Sequence, residues 1–226
     1  MSRPRMGFVV ALTVYAVAMR LLPYVLNRFG LSIDPATTTY PWNFSPLTAL
    51  CLFGAACFAH RRWAFALPVI VMTASNLGIW ALTGAADFVF VPSLIVVYAA
   101  FLLTTALGLW LRRWQSPEFW RSDRTSLQRL GTYAAAVGGT GIVAETVFFV
   151  VTNFAMWAGQ PVSPWVPVYS QDLAGLSECY VMALPFFRNS LISTVVFSGI
   201  LFSLLAVAKR EPAKSVVSAP VVSASV

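Results

Sequence analysis

Three ionisable side chains, Arg20, Glu145 and Arg188, fall inside long apolar stretches, and Asn76 lies in a fourth. These are the residues whose types could do chemistry here. A charge placed at mid-bilayer is costly and faces a cavity, a transport path or a partner. An arginine suits a carboxylate or a phosphate, and a lone carboxyl suits an ion pair or a carried proton. Two arginines against one glutamate leave one positive charge over, which an anionic ligand group or a water-filled pocket would accommodate. The bland reading is that Glu145 pairs with one arginine and holds a helix bundle together. Other chemistry is poorly served. The single histidine, His60, stands beside Arg61 and Arg62, and there is no GxSxG, HExxH or paired aspartate. Cys51, Cys57 and Cys179 are odd in number and lack CxxC spacing, so they read as buried thiols rather than disulfides or metal ligands. No Walker motif is present, and we expect no cofactor and no enzyme activity.

The elements that position these residues follow from composition. The 226 residues are 58% hydrophobic and only 10% charged, against roughly 25% charged in soluble domains. Such a chain cannot cover a soluble globule with polar groups, so the expected fold is all-α: a polytopic integral membrane bundle. Six apolar stretches, at about 6–26, 44–59, 64–83, 91–111, 131–158 and 180–208, predict six transmembrane helices. The second is short and is expected to extend into Trp42–Phe44, and Pro185 should kink the sixth. With a rise of about 1.5 Å per residue, Arg20 and Glu145 come out about 21 Å from the positively flanked surface, and Asn76 and Arg188 about 18 Å. Four polar groups on four helices are thus expected at one level. Gly138, Gly139 and Gly141, just before Glu145, predict close helix contact.

The net charge of +7 has a topological meaning. Twelve of the 15 basic residues flank the stretches on one side, from Arg3 and Arg5 through Arg61, Arg62 and the 112–129 loop to Lys209, Arg210 and Lys214. The positive-inside rule then places both termini in the cytoplasm, in the cytoplasmic (inner) membrane of a bacterium, and makes nucleic acid an unneeded partner. Arg3, Arg5 and Ala16-Val17-Ala18 also have the form of a cleavable secretory leader, but the apolar run through Leu21, Leu22 and Val25 favours a retained helix. Residues 1–210 are expected to form one membrane domain and 211–226 a disordered cytoplasmic tail.

Three blocks carry a resemblance. They are Asn43-Phe44-Ser45-Pro46-Leu47 with Ala49-Leu50 and Leu52-Phe53-Gly54-Ala55; Thr152-Asn153-Phe154-Ala155-Met156-Trp157; and Gly175-Leu176, Cys179-Tyr180 and Ala183 through Leu191. They resemble the signature of a bacterial membrane-protein family of unknown biochemical function described only as transport proteins. In size, six-span layout and Pro-x-x-Ala-Leu-x-x-x-Gly second helix, that family is similar to the substrate-binding S components of energy-coupling-factor vitamin transporters. The resemblance implies a cluster of Asn43, Asn153, Trp157, Tyr180, Arg188 and Asn189 in the outer half, suited to a small polar solute with an anionic group. Active transport would then need either an ion gradient, with Glu145 carrying a proton, or a coupling subunit and an ATPase as partners, beside membrane lipids. The expected function is therefore solute binding or uptake through an outward-facing polar pocket. The alternatives are a structural or assembly protein whose inner charges only pair and, further off, an intramembrane enzyme.

Overall fold

A computed structural model of the chain describes residues 6–31, 45–121, 125–159 and 168–210. Eight α-helices follow one another: α1 (Met6–Arg28), α2 (Leu47–Cys57), α3 (Arg61–Thr83), α4 (Ala86–Val89), α5 (Leu94–Gly108), α6 (Pro117–Arg121), α7 (Ser126–Gly159) and α8 (Leu173–Arg210). A 3-10 segment, Leu109–Gln115, continues α5. No strand occurs among the described residues. Five segments are long and apolar enough to cross a membrane: Val9–Arg28, Arg61–Thr83, Leu94–Gln115, Leu127–Gly159 and Leu173–Val207. The chain is a helical membrane protein.

The sixth expected span is where sequence and structure part. The stretch at 44–59 forms only the eleven-residue α2, about 16 Å long against a hydrocarbon core of about 30 Å. All eleven of its residues are buried, and it packs against α1, α3, α5, α7 and α8. A helix that is apolar on every side lies either in lipid or among other helices, and the burial of all eleven residues places this one among helices. The proposed extension into Trp42–Phe44 lies outside the described residues, as do the tail at 211–226 and residues 160–167.

The two ends of α2 are satisfied differently. At its start the Leu47 N–H reaches Ser45 Oγ at 3.4 Å. At its end Arg112 forks across the free carbonyls, donating from Nε to Ala55 O and from Nη2 to Phe58 O, both at 2.7 Å. A guanidinium there satisfies orphan carbonyls and complements the negative end of the helix dipole. The same basic end carries an aromatic cap. Trp114, Phe119, Trp120 and Tyr133 stack edge to face, and Arg129 Nη1 donates to Trp120 O at 2.6 Å.

Helix packing uses small residues, as expected where lipid removes the hydrophobic drive between helices. A Cβ on Gly108 would lie 2.9 Å from both Leu52 Cα and Ala55 Cβ, so α5 rests directly on the α2 backbone. A Cβ on Gly78 would lie 2.8 Å from Leu21 Cδ2, so α1 lies close along α3. Ala16 is fully buried with Val71 and Met72 of α3, which makes the first helix an integral part of the bundle. Of the three glycines of α7, Gly141 marks a close contact, 3.2 Å to Thr194 Cγ2. Gly138 and Gly139 have no neighbour within 4 Å of a built Cβ. The helix α8 runs unbroken through Pro185, which is exposed on its surface.

Candidate functional site

The polar residues expected at one level sort into two separate places. The first lies between α1 and α3. These helices run parallel, as their paired contacts advance together from Arg20–Asn76 to Arg28–Leu82. Gly78 admits Leu21, and that approach brings its neighbour Arg20 onto Asn76, two residues before the glycine. Arg20 Nη2 donates to Asn76 Oδ1 at 3.0 Å. Asn76 is buried, with 4% of its surface exposed. Both residues have donors to spare: Arg20 Nε and Asn76 Nδ2 are buried and have no hydrogen-bond partner among the described residues. No acid faces this arginine among the described residues. An unmet buried donor costs about 1–3 kcal/mol, and more when it is charged. What the pair lacks is an acceptor. A carboxylate, phosphate or polarised carbonyl fits that requirement, and a metal cation does not.

The second place lies between α7 and α8, which run antiparallel. Glu145 is 1% exposed. Its Oε2 accepts from Ser190 Oγ at 2.8 Å and its Oε1 from Thr194 Oγ1 at 2.5 Å. Neither Arg20 nor Arg188 pairs with it among the described residues, so the expected Glu145–arginine pair is absent. Depth counting could not see this, because it says nothing of azimuth. Ser190 and Thr194 stand four residues apart and share a face, while Arg188, two residues before Ser190, is turned roughly 160–200° away. Arg188 is exposed, on the side of α8 away from Glu145. Neither Ser190 nor Thr194 is among the expected site residues, although an i, i+4 hydroxyl pair on an apolar helix is a usable sign of a polar partner across the seam.

The cluster implied for the outer half is not assembled as a ligand site. Asn153 Nδ2 donates to Phe149 O of its own helix at 2.8 Å. Trp157 Nε1 donates to Ser170 O at 2.9 Å, and Gln171 Nε2 returns a bond to Trp157 O at 2.7 Å. Tyr180 Oη donates to Val150 O at 2.8 Å and its ring packs on Phe149. These side chains spend their donors on backbone carbonyls and tie α7 to α8 and to the segment that precedes it. Asn189 is half-buried and makes no side-chain hydrogen bond among the described residues. Asn43 lies outside the described residues. Of the expected residues, Arg20 and Asn76 are the two that keep buried donors unmet among the described residues.

Beyond the bundle the same ends are firmly tied. Arg28 donates from Nε and Nη2 to Leu82 O near the end of α3, at 3.2 and 2.7 Å. Asp172 caps α8, with Oδ1 accepting from Gly175 N and Ser170 Oγ, each at 2.8 Å. Those two donors hold its carboxyl below the usual carboxylate range. Among the described residues no three His, Cys, Asp or Glu side chains converge as metal ligands.

Neither a curated protein nor a solved structure matches the chain. The likeness to energy-coupling-factor S components therefore finds no counterpart in a known fold. A family model does match, over residues 1–216, and it spans both polar places described above. The chain belongs to the family of unknown function DUF6580.

Proposed function

We propose that the protein is a membrane transport protein that binds a small polar solute, whose anionic group is received between α1 and α3. One observation carries this reading. Arg20 Nε and Asn76 Nδ2 are buried donors without acceptors, on a cation that meets no acid among the described residues. A bound carboxylate or phosphate supplies the acceptor and the negative charge together, and charge-assisted bonds of that kind are about twice as strong as neutral ones. The solute enters from the side opposite the basic residues, and both termini face the cytoplasm of a bacterium by the positive-inside rule. The alternating direction of α1, α2, α3, α5, α7 and α8 supports six passes, with α2 a half-length one inside the bundle. Movement of the solute draws on an ion gradient or on a coupling subunit and ATPase.

The test is a thermal-shift screen of the purified protein against organic acids, vitamins and nucleobases, because a ligand of the folded state raises its apparent stability. An acid that stabilises the native protein should lose that effect in Arg20→Met and Asn76→Leu, and its neutral amide analogue should fail with all three. A screen in which no anion acts, or in which Arg20→Met responds like the native chain, refutes the reading.

A structural role is the second reading, favoured by the Arg20–Asn76 bond itself, which ties α1 to α3. On that reading the two substitutions lower stability equally with and without solutes.

A further inference from the structure

On the outside of the α7/α8 pair runs a groove of about 510 Å3, floored by Tyr133, Val137 and Gly141 of α7 and by Thr194, Ser198 and Phe202 of α8. From Leu130 to Gly141 it extends about 16 Å along the helices. Its rims are small: Ala134 and Gly138 on one side, Gly199 and Ser203 on the other. Small residues of this kind allow another helix backbone to approach closely. The floor also holds an unmet polar group. Ser198 is 2% exposed, and its hydroxyl has no hydrogen-bond partner, not even a carbonyl of its own helix.

A second observation lies on the same stripe of α8. Arg188, Ile192, Val195 and Gly199 follow at intervals of four, three and four residues, so they share one face. Arg188 is exposed and has no ion-pair partner among the described residues on this helix of span length, and a guanidinium in a membrane is costly until it meets a counter-charge. Its Cα lies about 15 Å along the helix from that of Ser198.

We infer that this face receives a transmembrane helix of a different protein, with small residues opposite Gly138 and Gly199 and an Asp or Glu opposite Arg188. Such a helix satisfies both groups at once: its carboxylate pairs with Arg188 and a backbone carbonyl beside its small residues accepts from Ser198. A lipid phosphate could meet Arg188, but its acyl chain leaves the Ser198 hydroxyl unmet. A second copy is disfavoured by symmetry. Two copies share one orientation in the membrane, and a two-fold interface on this face sets Arg188 against Arg188.

The experiment places p-benzoyl-phenylalanine at position 203 of the full-length chain, irradiates native membranes and sequences the cross-linked peptide. Support is a peptide from a transmembrane helix of another protein with an acidic residue about 13–17 positions from the cross-link, because position 203 lies fifteen residues, about 22 Å, from Arg188. Support also requires that Arg188→Glu lower the yield about fivefold or more, that exchanging the charge on both partners restore it, and that Arg188→Lys keep most of it. Gly199→Leu, which fills the groove where a Cβ meets no neighbour within 4 Å, should abolish the cross-link without changing the unfolding midpoint. Cross-linking to lipid alone, to a second copy of this chain, to a helix without an acid, or to nothing overturns the proposal.

Discussion

Adding one methyl group should have opposite effects at two glycines of this chain. In Gly108→Ala the new Cβ lies 2.9 Å from Leu52 Cα and 2.9 Å from Ala55 Cβ, with Leu52 O at 3.2 Å. Two of those atoms are backbone of α2, a helix wholly enclosed by its neighbours, so no side chain can swing aside. Overpacking of this kind costs about 1–3 kcal/mol, against a gain in helix propensity of at most about 1 kcal/mol. The net loss is about 1–2 kcal/mol. At Gly139 the same substitution meets nothing within 4 Å, so only the propensity gain remains. For a chain of this length about 1 kcal/mol moves the midpoint by roughly 2–4 °C. Gly108→Ala should therefore melt about 2–8 °C lower than the native protein, and Gly139→Ala at or slightly above it. Cys51, Cys57 and Cys179 are all buried thiols, so a thiol-reactive fluorophore reports the unfolding directly. A Gly108→Ala protein as stable as the native one would refute the claim that α5 rests on the α2 backbone.

Further outcomes follow from the same geometry. In double-mutant cycles on stability, Glu145→Gln with Thr194→Val should show coupling of about 0.5–3 kcal/mol, while Glu145→Gln with Arg188→Met should add within about 0.5 kcal/mol. Coupling to Arg188 would restore the ion pair that the structure denies. Arg112→Met should cost about 2–4 kcal/mol through loss of two charge-assisted bonds to α2 carbonyls, and Arg112→Lys should recover little, because an ammonium lacks the planar fork. This is read as the midpoint of denaturant unfolding. The depressed carboxyl of Asp172 stabilises the folded state above the unfolded value of about 3.9, and that contribution is lost as pH falls through the lower folded value. Protection of the Gly175 amide, relative to its intrinsic exchange rate, should fall below about pH 4 in the native protein, with a weaker pH dependence in Asp172→Asn.

Membrane residence and helix positions were legible because composition and 20-residue apolar runs are first-order signals. The shared level of Arg20 and Asn76 was legible too, because α1 and α3 run parallel and a count of residues from the same surface puts both at one depth; their contact was not. The same count failed for Arg188, where depth matched that of Glu145 but azimuth did not. The hydroxyls of Ser190 and Thr194 carried the missing information in their four-residue spacing. The surroundings of α2 were not legible for a related reason: hydropathy cannot distinguish a helix wrapped in lipid from one wrapped in protein. Asn153, Trp157 and Tyr180 looked available because sequence lists side-chain donors but not the backbone carbonyls of Phe149, Ser170 and Val150 that engage them.

The most direct test of the central claim is a high-resolution map of the protein in lipid nanodiscs with the acid that stabilises it most. The account predicts non-protein density with acceptor atoms about 3 Å from both Arg20 Nε and Asn76 Nδ2. A map in which those two nitrogens meet only hydrocarbon, or an acidic side chain of the chain itself, would contradict it.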